Sequence, residues 1–356
     1  MNQRFVNLLV NKLRAPRPAF KLHRIDPATL FHRAGGSAEP TESAPAPGRL
    51  PPAAISFDWP CHRHLGGWMD FMAFNNNSIV AVDHEGRTLL YDCAARAVRA
   101  MPQTDKPRSK TISFTVGDGL YVLARDPGTP PQWHRLQALV YGRPPAGLVV
   151  QPEEEWHWRG LGQPPFDFAV HKQLDPSKYA PEVVANPYAI TSYTVVGGSH
   201  IWLSMVAAGT FSYDTASGVW TKAPVAAALP FSGRAEYVPE LGLWFGFSRE
   251  DEQLCAADLS LKQPVPQKLW EDSPPPESCS LAASHLLPLG SRKLCVARVF
   301  QKTERGKLLP SGYTKAERFA VMSGVEVSRA AGMDSLQIIK HKSKCYSLGS
   351  DEVKLL

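Results

Sequence analysis

Residues 88–102, TLLYDCAARAVRAMP, align without a gap on residues 210–224, TFSYDTASGVWTKAP. Thr88 falls on Thr210, Tyr91 on Tyr213, Asp92 on Asp214, Ala94 on Ala216 and Pro102 on Pro224, while Val98 meets Trp220, both apolar. A chain that copies itself builds one supersecondary unit several times, and each copy buries its apolar face against the next. The offset, 122 residues from 88 to 210, is about two propeller blades of ~40–50 residues with long loops.

Each copy reads as the outer half of a blade: an apolar strand ending in Tyr-Asp, a polar turn, and a second strand. Asp214 can accept backbone amides in the turn, Gly218 can take a positive φ, and Trp220 is expected to pack between neighbouring blades. The inner halves recur as strand, glycine-bearing turn and strand: Thr111–Val116 with Leu120–Leu123, Thr191–Val196 with Ile201–Met205, Ala235–Val238 with Leu243–Phe247, and Ser284–Leu289 with Leu294–Phe300. The 32 prolines and 26 glycines fall between short apolar runs, and no long stretch of period 3.6 competes with this pattern.

The expected fold is therefore all-β: a kelch-like β-propeller of six blades, with five as the alternative. Five blades start near Asp70, Thr111, Thr191, Arg234 and Ser284. Residues 1–33 supply two strands, Phe5–Val10 and Phe20–Ile25, to a closing blade shared with the C-terminal strand Lys344–Leu348. Residues 34–54, rich in Ala, Pro, Ser and Glu, read as a low-complexity disordered loop, and residues 55–356 form the propeller body.

The Tyr213-Asp214…Trp220 unit resembles a kelch repeat, although kelch repeats carry a Gly-Gly pair ending the second strand and Gly197-Gly198 here sits one strand earlier. A broader resemblance covers residues 4–350 except the low-complexity loop. Phe5–Val10, Leu22–Pro27, Met69–Met72, Gly86-Arg87-Thr88 with Tyr91-Asp92, Ser192–Ser199, Gly233–Glu240 with Leu243–Phe247, and Phe319-Ala320-Val321 with Gly324–Val327 carry it. These look like a large plant family, expanded in cereals, catalogued as a domain of unknown function with a propeller-like fold. The resemblance implies a fold and no particular chemistry.

Charge narrows the partners. The formal net charge is +6, from 39 basic and 33 acidic residues. Residues 1–25 hold six basic side chains and no acid; setting those six aside leaves 33 basic against 33 acidic, so the body is balanced. Nucleic-acid binding is therefore not expected, and Lys340, His341, Lys342 and Lys344 read as a solvated edge strand. A leader to mitochondrion or chloroplast is the alternative reading of the basic N-terminus. No apolar run approaches a membrane span, and the six cysteines, none within four residues of another, read as free thiols of a cytoplasmic or nuclear protein.

No nucleophile elbow, zincin, P-loop or complete dinucleotide fingerprint occurs. The chain is read as non-catalytic, without cofactor or metal, monomeric, and binding an unidentified protein partner. Cys61-His62-Arg63-His64 reads as an exposed polar loop. Glu153-Glu154-Glu155-Trp156-His157-Trp158 could meet a basic partner or a cation, but reads first as an acidic loop entering an outer strand whose tryptophans alternate between faces. Innermost strands line a propeller's channel, and their polar residues are Asp70, Tyr193, Arg234, Glu236 and His285. These are the candidate channel-mouth residues. The shared strand parity of Arg234 and Glu236 makes an ion pair as plausible there as a ligand site.

Overall fold

The computed structural model describes residues 5–12, 18–32, 47–59, 67–75, 77–105, 111–125, 136–144, 153–165, 186, 189–270, 279–308, 314–329, 336–349 and 351–356. The chain forms two compact units. A terminal unit takes Met1–Trp59, Val238–Ala256 and Gln267–Leu356, and a middle unit takes Pro60–Tyr237 and Ala257–Pro266. Among the described residues all regular elements are strands except a single 3₁₀ turn at Pro27–Leu30, and no helix is long and apolar enough to cross a membrane.

The terminal unit opens with β1 (Val6–Lys12), β2 (Ala19–Ile25) and β3 (Ala53–Asp58), antiparallel in that order. The two N-terminal strands thus form as expected. The low-complexity segment is structured at its end: Gly48 bridges Tyr346, and β3 starts at Ala53. Residues 33–46 lie outside the described residues.

Two four-stranded antiparallel sheets, and a four-stranded antiparallel run that continues into a further strand, build the middle unit. They are β4 (Met69–Phe74), β5 (Ser78–Asp83), β6 (Thr88–Asp92) and β7 (Ala97–Met101); β8 (Thr111–Val116), β9 (Gly119–Ala124), β10 (Gln137–Gly142) and β11 (Glu155–Gly160); and β12 (Ser192–Val196), β13 (His200–Met205), β14 (Gly209–Asp214) and β15 (Val219–Lys222). Within each sheet the strands neighbour one another in chain order. β16 (Phe231–Val238) then lies parallel to β12, with Tyr193 opposite Arg234.

Burial explains the strand sequences. Each β5 or β13 lies within a sheet covered on both faces, so it reads as a continuous apolar run, SIVAVD or HIWLSM. The outer strands β7 (AVRAM) and β15 (VWTK) face solvent along most of their length and break the apolar run with Arg99 or with Thr221 and Lys222. Met72, Phe74, Val80 and Val82 of the first sheet pack on Leu120, Val122 and Leu139 of the second, joined by Trp156 and Trp158. Ile112, Phe114 and Leu123 of the second pack on Ile201, Leu203, Phe211 and Tyr213 of the third. The two tryptophans of β11 therefore share a face, correcting the expectation that they alternate: residues two apart on a strand point the same way.

The repeated segment is the outer hairpin, β6–β7 and β14–β15. Tyr91 and Tyr213 are buried at equivalent places, as are Thr88 and Thr210. Asp92 accepts the amides of Ala94 and Ala95, and Asp214 accepts the amide of Ala216 and the hydroxyl of Ser217. Gly218 takes φ +72° and its counterpart Arg96 φ +54°, so both turns need one left-handed residue.

In the terminal unit, β17 (Leu243–Ser248) precedes the pair β18 (Leu254–Ala257) and β19 (Gln267–Trp270). A long antiparallel sheet follows: β20 (Cys279–Gly290), β21 (Lys293–Leu308), β22 (Thr314–Arg329) and β23 (Leu336–Gly349). Phe245 and Phe247 pack against Val296 and Val325. The chain ends in β24 (Glu352–Leu355), which pairs with β1, Leu8 opposite Leu355. The first and last strands share one sheet, but Lys344–Leu348 is not the strand that joins them. It belongs to β23 and pairs with β22. Gly349, at φ +62°, turns the chain between the two. β23 is the outermost strand of its sheet, the edge position that its lysines suggest. The five described cysteines form no disulfide with one another.

Candidate functional site

The first strands of successive sheets in the middle unit, β4, β8, β12 and β16, stand side by side, and four of the five candidate residues lie on them. Asp70 on β4 is 7% exposed. Its Oδ2 accepts the Thr111 amide at 2.7 Å and the Thr111 hydroxyl at 2.6 Å, and its Oδ1 accepts the Phe71 amide at 2.8 Å. Asp70 is thus a clamp from β4 to the start of β8. A buried carboxylate holding three donors is well matched where it stands.

Tyr193, Arg234 and Glu236 come together, as strand parity implies. Arg234 Nε lies 2.5 Å from Glu236 Oε1, and Arg234 Nη1 donates to the Ser113 carbonyl at 3.2 Å, tying β16 to β8. Thr194 adds a bond from β12 to the Ala235 carbonyl at 2.7 Å. Tyr193 sits edge-on to Phe114, centroids 5.6 Å apart. Burial pushes the Glu236 carboxyl up from its ordinary range, against the opposing pull of Arg234. Burial likewise raises the Tyr193 hydroxyl, against Arg234 and Arg125. Yet the Arg234 side chain keeps 42% of its surface and Glu236 17%. Water reaches the pair, so its attraction is worth at most about 1 kcal/mol.

His285 is not part of this group. It lies on β20 of the terminal unit, opposite Ala297. Among the described residues no three His, Cys, Asp or Glu side chains gather as a metal site, and Cys61-His62-Arg63-His64 lies outside those residues.

A second polar and aromatic surface lies on the β10–β11 hairpin. Tyr141, opposite Trp156, is 57% exposed, and their rings stand 5.7 Å apart. Trp156 in turn meets buried Phe74 at 5.8 Å, edge to face, so an aromatic ladder runs from core to surface. Glu153, Glu154 and Glu155 beside it are exposed. Trp158, half-buried on the same face as Trp156, donates its indole N–H to the Pro102 carbonyl at 3.0 Å. The acidic-aromatic segment is therefore an outer strand entered by an acidic loop, as read, with both tryptophans half-buried against the core between the two sheets. Tyr141 escaped the sequence reading. Its parity with buried Leu139 was the available signal, but only the pairing of β10 with β11 shows that the strand outruns its cover.

The chain belongs to the family described as "Protein of unknown function (DUF1668)", which matches residues 3–346. No curated protein matches it. Among solved structures, it is similar to the β-propeller domain of Myceliophteria thermophila Cps50 (Swd1), at 9% identity and TM-score 0.33, over 95% of this chain and 96% of that one. It is also similar to YCF48 from Cyanidioschyzon merolae, at 10% identity and TM-score 0.34, over 76% and 84%. A third similarity is to the N-terminal domain of Nup159, at 11% identity and TM-score 0.30, over 77% of this chain. The chain spans 61% of that domain's length.

Proposed function

We propose that this member of a family of unknown function is a non-catalytic β-propeller of six four-stranded blades, the last shared by its termini, that binds a protein or peptide. Blades of four strands are the propeller unit. The repetition of that unit along the chain and the pairing of β1 with β24 support the ring. Asp70 and Arg234, two of the three charged candidates on the first strands, are both tied to backbone of a neighbouring strand, which supports a scaffold rather than a reaction centre. A cytoplasmic or nuclear location goes with this reading.

One observation carries the binding role: exposed Tyr141, backed by Trp156 and flanked by Glu153, Glu154 and Glu155. A rigid aromatic anchor beside polar groups is the composition of a binding hot spot. Its charge selects a basic segment in the partner. Affinity capture with the folded full chain is expected to recover a reproducible partner. The partner is expected to be lost with Tyr141→Ala and weakened by added salt with Glu153, Glu154 and Glu155 intact. Capture of nothing reproducible, or a partner indifferent to Tyr141→Ala and to a triple Glu→Gln variant, counts against this reading.

A second reading, a small-ligand site or enzyme using the first-strand row, is favoured by Arg234 standing 42% exposed beside Tyr193 and Glu236. A thermal shift with a metal or metabolite, abolished by Arg234→Ala or Glu236→Ala, would put it ahead.

A further inference from the structure

A hollow of about 360 Å³ opens between the end of β7 and the far end of the β10–β11 hairpin, within the size range of small-molecule sites. It is not the Tyr141 surface: Gln137 pairs with Gly160 at this end of the hairpin, and Gly142 with Glu155 at the other. Trp158 lines it with a fixed ring, anchored by the bond to Pro102 and by packing on the core between the two sheets. Gln103 and Gln137 also line it, and each amide is oriented by an anchor. Gln103 Nε2 donates to the Glu85 carbonyl at 2.7 Å, and buried Gln137 Nε2 donates to the Thr104 hydroxyl at 3.5 Å.

His157 contributes an acceptor. Its Nδ1 lies 3.2 Å from the Glu155 carbonyl. A carbonyl can only accept, so in the neutral ring Nδ1 carries the proton and Nε2 bears the lone pair. Asp105 adds a carboxylate. Gly160 leaves one wall without a side chain, since a Cβ there would meet no atom within 4 Å.

The lining thus combines one flat, immobile indole with donors and acceptors that are mostly uncharged. A phosphate would meet the Asp105 carboxylate and no Lys or Arg among the lining residues. A basic side chain would find one carboxylate and three neutral groups. A sugar ring suits every feature: its C–H face packs on an indole, and each hydroxyl both donates and accepts. We propose that this hollow is a saccharide-binding site. A pyranose unit seats on Trp158, with its hydroxyls on Gln103, Gln137, Asp105 and His157.

The full chain would be titrated with D-glucose, D-galactose, D-mannose, D-xylose and cellobiose, read by tryptophan fluorescence and saturation-transfer NMR. At least one sugar is expected to saturate at millimolar concentration or below. Gly160→Phe, which fills the hollow from its open wall, is expected to weaken it at least about 20-fold. Gln103→Ala, losing one hydrogen bond, should weaken it about 5-fold to 10-fold. Both variants should keep the circular-dichroism spectrum of the parent. The site is overturned if no sugar saturates, if binding survives Gly160→Phe, or if Arg234→Ala removes it instead. Saturation by arginine amide and by no sugar would also overturn it. The partner-capture experiment does not bear on this outcome, because Tyr141→Ala leaves the hollow intact.

Discussion

Gly86 takes φ +86°, and a Cβ there would come within 2.0 Å of the Thr104 carbonyl oxygen. The contact is tight because Gly86 and Thr104 bond through the backbone, and because Asp83 folds the turn by accepting the amides of Glu85 and Arg87. Gly324 has a different constraint: a Cβ would lie 2.4 Å from the Leu30 carbonyl oxygen. Gly86→Ala is expected to cost about 3 kcal/mol, combining left-handed strain with overpacking. Gly324→Ala should cost somewhat less, through overpacking alone. Gly218→Ala, with only a tyrosine hydroxyl at 3.6 Å, should cost about 1 kcal/mol. Urea midpoints of the three variants check the ranking. Both tight glycines sit in segments that carry the sequence resemblance, yet the sequence marks them only as glycines; the oxygen each would strike comes from a distant turn.

Two histidines of the terminal unit set a pH limit at the same scale. His23 is 7% exposed, and its Nδ1 meets the Pro51 carbonyl at 2.6 Å, so Nδ1 holds the proton. Burial lowers its pKa, opposed by the Pro51 bond and aided by Lys12 and Lys21. Burial also lowers His341, against the pull of Glu326. A histidine whose folded pKa is depressed binds fewer protons folded than unfolded. Stability is then full above the ordinary value near 6.5 and falls as the pH drops from there through the folded pKa. The urea midpoint is expected to decline from pH 7.5 to pH 5.5, and the decline should shrink in His23→Gln. An unchanged slope in that variant would remove His23 from the account.

Neighbouring sheets are joined by a device that recurs at the scale of elements. Trp158 on β11 donates to the Pro102 carbonyl just past β7, and Trp220 on β15 donates to the Gly162 carbonyl just past β11. Each outer strand thus fastens itself to the end of the preceding one. Trp220→Phe keeps the contact with Tyr213, whose ring is 4.9 Å away, and is expected to cost about 1 kcal/mol for the lost hydrogen bond. Trp158→Phe should cost about the same, and the two should add in the double variant because they act at separate junctions. The repeat alignment made this half legible: it singled out Trp220 as a residue packed between repeated units, and Trp220 does join neighbouring sheets. It also paired Val98 with Trp220, but Val98 is 49% exposed and fastens nothing. An apolar match shows that two positions are equivalent in the hairpin, not that both have a neighbour to meet. Asp70 shows the same limit, since its carboxylate was legible as an inner-strand group while its tie to Thr111 depends on a strand 41 residues on.

For the whole molecule, the shared sheet of the termini is the decisive arrangement. β24 pairs with β1 from Leu8–Leu355 to Asn11–Glu352, Lys12 Nζ meets Asp351 Oδ2 at 2.5 Å, and the Leu356 amide reaches the Asn7 carbonyl at 3.0 Å. The basic first strand was visible in the sequence. The strand that closes the sheet was misassigned because β23 is rich in alternating residues, whereas β24 is four residues past a glycine turn. Deleting residues 351–356 exposes the β1 edge and removes Leu355 from its core cluster. It is expected to cost about 3 kcal/mol or more, as loss of a buried leucine does. The proposed ring adds a stronger expectation. A closed propeller distributes the loss of one blade to every neighbour, so hydrogen exchange of β5 and β13, far along the chain, should quicken together with that of β1 and β2. If the deletion speeds exchange in β1–β3 and β20–β23 alone, the two units unfold independently and the ring is refuted.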